Sequence, residues 1–88
     1  GAINDRVYDV GRVVLLLLNT IRTHYAPSLY ERYHLGELPQ DAMTLLENIG
    51  KKRGCLRAGG EIDYEKAEQI VLTDFRSGRL GRITLDVL

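Results

Sequence analysis

The sequence predicts an all-α fold: a small helical bundle of about three long helices plus one short helix, with an extended C-terminal tail. Three observations predict it. Apolar residues recur at spacings of three and four in three separate stretches, which puts each set on one helix face. An aspartate stands just before two of these stretches (Asp9 and Asp63), where its side chain can cap free N–H groups. Glycine and proline punctuate the gaps. The 88 residues suffice for one domain with one modest core, and a hydrophobic content of 44% is that of a globular chain.

Residues 1–8 have no clear periodicity and read as a linker or strap, with the helical domain covering 9–88. Asp9 is the expected N-cap of a first long helix over about residues 10–25. Val10, Val13, Val14, Leu17, Leu18, Ile21 and Tyr25 share one face of it. At about 100° per residue, Leu16 points nearly opposite. Either this helix is central, or its far side faces another domain, or Leu16 is a lone surface leucine. Pro27 is expected to stop the helix, Ser28 to cap a short helix over 29–33, and Leu35-Gly36 to close it. Tyr30 and Tyr33 offer rings that can stack on bases, although half-burial in a small core is the ordinary role.

A third helix starts at Gln40 or Asp41, behind Pro39, and runs to about Arg53. Ala42, Met43, Leu46, Ile49 and Gly50 are its expected inner face. Gly50 costs about 1 kcal/mol against alanine, which implies close approach by another helix. Gly54 reads as the residue just past the helix end. Gly59-Gly60 is a turn, and Asp63 caps a fourth helix over about 64–77. Tyr64, Ala67, Val71, Phe75 and Gly78 form its expected inner face, flanked by Ile70 and Leu72. Asp74 lies close to that face and needs a partner such as an arginine. Gly78 and Gly81 end the helix, and residues 83–88 alternate apolar and polar as an extended tail.

Charge singles out the stretch Lys51–Asp86. The chain has 12 basic and 12 acidic residues, so its formal net charge is zero. The distribution is uneven. Residues 51–57 carry Lys51, Lys52, Arg53 and Arg57 without an acid, and residues 76–82 carry Arg76, Arg79 and Arg82 without an acid. Between them, Lys66 faces Glu61, Asp63, Glu65, Glu68 and Asp74. Two basic ends flanking an acidic helix can bind phosphate locally but do not form a continuous basic stripe. With helices three and four antiparallel, the ends would lie roughly 20 Å apart, from the helix rise. Two such patches suit folded RNA, which is recognised largely by shape and phosphate position. Basic side chains in a last helical turn also complement the helix dipole, which is their ordinary role.

Catalytic and metal chemistry finds no support. Gly50-Lys51-Lys52 resembles the end of a P-loop, but residue 45 is leucine and the Ser/Thr is missing. His24 and His34 are on different elements, without a cysteine or acidic pair beside them, and read as surface or capping residues. Cys55, the single cysteine, reads as a small buried hydrophobe. It permits no disulfide within the chain, as expected of a reducing cytosol, and the localisation expected is cytoplasmic. The longest apolar run, Val13–Leu18, is too short to span a membrane.

The composite Lys52-Arg53-Gly54-Cys55, Gly59-Gly60-Glu61-Ile62-Asp63 and Asp74-Phe75-Arg76-Ser77-Gly78-Arg79-Leu80-Gly81-Arg82-Ile83 closely resembles the C-terminal end of the circularly permuted ribosome-assembly GTPases of the YlqF/RbgA type. Ala2-Ile3-Asn4-Asp5 resembles the exit from the GTPase domain, and Leu29-Tyr30-Glu31-Arg32-Tyr33 the family's short second helix. The resemblance implies the helical C-terminal domain of such a GTPase. It implies docking on the large ribosomal subunit precursor through 23S ribosomal RNA, with ribosomal protein as a further contact. GTP and magnesium would belong to the parent GTPase, and no cofactor is expected in this chain, which is read as non-enzymatic. At the level of fold alone, the family resembles ANTAR-type RNA-binding domains. The expected RNA contacts are Lys51, Lys52, Arg53, Arg57, Arg76, Arg79 and Arg82, with Gly54, Gly59, Gly60, Gly78 and Gly81 shaping the loops that aim them. The alternative is a protein-interaction module packing on the GTPase domain or a ribosomal protein.

Overall fold

The computed structural model describes residues 9–83. Four helices follow in order: α1 (Val10–His24), α2 (Ala26–Tyr33), α3 (Ala42–Lys52) and α4 (Tyr64–Arg76). Among the described residues the only β pairing is an isolated antiparallel bridge between Leu56 and Ile62. The strap expected over 1–8 lies outside the described residues, as does the extended tail beyond Ile83.

Both expected aspartate caps form, and Asp41 caps α3 in the same way. Asp9 accepts from Arg12 N–H, Asp41 from Thr44 N–H and Asp63 from Lys66 N–H. Each satisfies a donor that the first helical turn leaves without a backbone partner. The start of α2 differs from expectation. Tyr25 ends α1 and also precedes α2, which begins at Ala26. Pro27 therefore lies in the first turn of α2, where its missing N–H costs nothing, and Ser28 is inside the helix rather than its cap. His34 closes α2 in the left-handed region, with φ 55°.

Helix α1 is the hub and packs against α2, α3 and α4. Val14, Leu17, Leu18 and Ile21 are fully buried, with Leu29 and Tyr33 of α2, Leu45, Leu46 and Ile49 of α3, and Ala67 and Val71 of α4. Cys55 and Leu80 complete this core from the segments after α3 and α4. Three inward assignments are corrected. Gly78 lies beyond the end of α4 and is exposed. Met43 and Tyr64 are exposed, while Leu45 is buried. With α1 and α4 both against α3, its buried stripe is centred on Leu45, Leu46 and Ile49, and Met43 falls off its edge. The Tyr64 ring lies on the surface, its hydroxyl 2.6 Å from Glu47 Oε2.

Candidate nucleic-acid interface

Both basic clusters are built on the same backbone device. After α3, Gly54 N–H donates to Lys51 O and Cys55 N–H to Gly50 O. After α4, Gly78 N–H donates to Phe75 O and Arg79 N–H to Asp74 O. These bond pairs are the Schellman closure, which needs a left-handed residue just past the helix and so selects glycine. Gly54 has φ 72° and Gly78 has φ 80°. Gly59, Gly60 and Gly81 also have positive φ. The closures turn the chain sharply, so Lys51, Lys52 and Arg53 cluster at one helix end, and Arg76 and Arg79 at another.

All seven candidate side chains belong to exposed residues. Lys51 and Lys52 border a shallow depression with Leu35, Gly36, Glu37 and Asn48. Arg57 lies 4.0 Å from Asp63, and both are partly solvated. Arg82 follows Gly81 on the surface.

The remaining geometry centres on Asp74, a charged residue only 3% exposed. Arg32 grips it with two bonds: Nη2 to Oδ1 at 3.0 Å and Nε to Oδ2 at 3.2 Å. Tyr33 donates its hydroxyl to Oδ2 at 2.8 Å. The Arg79 guanidinium lies 3.9 Å from Oδ1, an ion-pair distance beyond hydrogen-bond reach. Burial alone would push the Asp74 carboxyl up, but the bonds from Arg32 and Tyr33 and the positive charge of Arg32 and Arg53 outweigh it. The carboxyl is held below the usual carboxylate range. Burial, followed by the bond to Asp74, pushes the Tyr33 phenol up, so it remains a donor.

Arg53 extends this network to the other cluster. Its guanidinium carbon lies 5.2 Å from the Tyr33 ring centroid, in cation–π contact. Its Nη2 donates to Arg32 O at 2.9 Å. The two basic clusters were expected at opposite ends of α4, and the α3–α4 connection does begin that way, with Asp63 N–H donating to Cys55 O. Arg57, beside Asp63, keeps to it, and Arg53 alone departs. Arg53 reaches over α2 and is linked through Tyr33 and Asp74 to Arg79.

Arg32 is absent from the sequence-predicted set. The signal was half visible: an inward Asp74 demanded a cation, but nothing in the sequence said which arginine, 42 positions away, would supply it. Burial pushes the Cys55 thiol up, which disfavours the reactive thiolate. Among the described residues no group of three or more His, Cys, Asp or Glu side chains is placed to hold a metal ion. Among the described residues no helix is long and apolar enough to cross a membrane.

No protein-family model matches the sequence. Individual proteins do. The chain is similar to ribosome biogenesis GTPase A of Bacillus cereus, with 43% identity over 86 residues covering 98% of this chain and 29% of that protein. Its similarity to ribosome biogenesis GTPase A of Priestia megaterium is 38% over 86 residues, covering 98% of this chain and 30% of that protein. Against nucleolar GTP-binding protein 2 of Cryptococcus gattii it is 38% identical over 69 residues, which is 73% of this chain and 9% of that protein. The chain thus spans less than a third of the length of the curated relatives it matches.

Proposed function

Since the chain belongs to the ribosome biogenesis GTPase A family, as a segment spanning about 30% of its relatives' length, we propose that it is a non-catalytic helical domain C-terminal to a GTPase domain, docking that GTPase on the large-subunit precursor through 23S ribosomal RNA. The observation that carries this reading is the excess of exposed cation over acid around Asp74. One carboxylate faces Arg32 and Arg79 directly, with Arg53 beside them. Lys51, Lys52, Arg57, Arg76 and Arg82 are further exposed cations. These side chains, with Arg53 and Arg79, are the proposed phosphate ligands. On this reading GTP and magnesium are bound by the GTPase domain of the cytoplasmic parent protein, and this chain takes no cofactor.

The test is affinity of the full chain for large-subunit ribosomal RNA across a salt series. Phosphate contacts release counterions, so log K should fall linearly with log salt between about 50 and 200 mM. No binding at the low end, or binding indifferent to salt, overturns the proposal.

A second reading, a protein-interaction module for the GTPase domain or a ribosomal protein, has one observation in its favour. Leu16 is 44% exposed, beside a shallow depression that it lines with Asp9, Gly11, Arg12 and Leu15. Charge reversal at Arg79 and Arg82 separates the two. Loss of subunit association with GTPase-domain contacts intact supports RNA; the reverse supports the protein module.

A further inference from the structure

An open cleft of about 350 Å³ lies between α2 and the segment following α4, lined by Ser28, Glu31, Arg32, Gly78, Arg79, Leu80 and Gly81. We propose that this cleft is a phosphodiester seat for RNA, with Arg79 as its principal ligand, Arg32 and Ser28 as its second and third, and Asp74 as the residue that positions both arginines. The proposal deepens the RNA-docking reading and rests on it.

Four observations converge here. First, Asp74 already holds three donors. Its two oxygens accept from Arg32 Nε, Arg32 Nη2 and the Tyr33 hydroxyl. Arg79, at 3.9 Å, is attracted to it without giving up a hydrogen bond, and its side chain is 57% exposed. A fork of donors is therefore held in place and left open to a ligand. Second, Arg32 spends Nε and Nη2 on Asp74 but keeps Nη1, and its side chain is 29% exposed at the cleft. Third, the walls are fixed by backbone. The Schellman closure bonds Arg79 N–H to Asp74 O, and Gly81 N–H donates to Gly78 O at 3.0 Å. Buried Leu80 pins this loop to the core. Fourth, Gly81 passes close to the opposite wall: a Cβ there would lie 3.6 Å from Ser28 Oγ. The hydroxyl thus faces the loop that carries Arg79. Against these stands Glu31, the single acid on the lining, which weakens the seat for any anion. Its presence makes a sharp test.

A phosphodiester fits this arrangement better than a carboxylate-bearing partner. Arg32 and Arg79 balance Asp74 and Glu31, and Arg53, close enough to help hold the Asp74 carboxyl low, leaves the surroundings net positive; the cleft is also open enough for a continuous backbone to pass. The seat reads no base, so it adds register and affinity without sequence preference.

The experiment is a titration of the isotopically labelled full chain with a structured large-subunit ribosomal RNA fragment. Amide shifts are followed by NMR, and affinity by anisotropy. Arg79→Gln should weaken binding about tenfold and lower the salt slope by about one. Glu31→Gln should tighten binding several-fold, whereas Glu65→Gln, the same charge change elsewhere on the exposed surface, should do so far less. Shifts should concentrate at Ser28 and 78–81. Arg79→Gln leaves the Arg32–Asp74 pair intact, and its amide spectrum reports whether the fold persists. If RNA binds with an undiminished salt slope in Arg79→Gln, and shifts confined to Lys51 and Lys52, the seat is wrong while the RNA reading stands. If the unsubstituted chain does not bind RNA at all, both fall.

Discussion

At the residue scale the molecule turns on Asp74. A carboxylate buried to 3% exposure is tolerated only because three donors surround it. Removing it by Asp74→Ala strands the buried Tyr33 hydroxyl and leaves Arg32 without a counter-ion. The expected loss is about 1–3 kcal/mol at neutral pH, measured by urea denaturation. The pH dependence follows from the depressed carboxyl. The native state holds that proton less tightly than the unfolded chain, so the contribution is complete above the unfolded value of about 3.9 and fades as pH falls below it toward the lower native value. The gap between the unsubstituted chain and Asp74→Ala should therefore narrow as pH drops below about 4. A gap unchanged down to the lowest accessible pH would mean that the carboxylate charge is irrelevant. The inward aspartate was legible from helix periodicity, and so was its need for a cation. Its partner was not, because an arginine on α2 has no sequence signature of facing α4.

At the scale of elements, the two glycines Gly50 and Gly78 answer different demands. Gly50 lies in α3 against α4, where a Cβ would meet Ala67 Cβ and Ile62 Cγ2 at 3.4 Å. The close approach expected from its position is real, yet a methyl group fits at ordinary contact. Gly50→Ala should be neutral or stabilising by up to about 1 kcal/mol, through helix propensity. Gly50→Leu should overpack the α3–α4 seam and cost about 1–3 kcal/mol. Gly78 has open space around it but φ 80°. Gly78→Ala should cost roughly 1–2 kcal/mol from the left-handed backbone alone. Thermal denaturation of the three variants orders them directly. If Gly78→Ala proves harmless, the closure after α4 does not require glycine, and its role in holding Arg79 must be abandoned. The glycines that close α3 and α4, Gly54 and Gly78, were readable from their positions in the sequence. Helix α2 was misjudged at its start because proline, usually a stop, is equally at home in a first turn.

At the scale of the whole molecule, α1 is central and still keeps one side free. Its contacts with α2, α3 and α4 bury Val14, Leu17, Leu18 and Ile21, while Leu16 remains 44% exposed. Leu16→Ser should therefore change the stability of this chain by no more than about 0.5 kcal/mol, as judged by chemical denaturation. A larger loss would show that Leu16 contributes to this core. Unchanged stability combined with weakened association between this chain and a GTPase domain would favour the protein-interaction reading for this face.

The sequence by itself determined the helices, their aspartate caps, the glycine closures and the division of charge. All are local: each depends on residues within four or five positions of one another, and periodicity and capping chemistry act at that range. Tertiary structure decided which cations meet. The two basic clusters are separated by an acidic helix in the sequence, and counting charge along the chain keeps them apart. Packing α2 across the bundle lays Tyr33 beneath Arg53 and brings Arg32 and Arg79 to one carboxylate. That convergence depends on where α2 sits, a long-range property that no local pattern encodes.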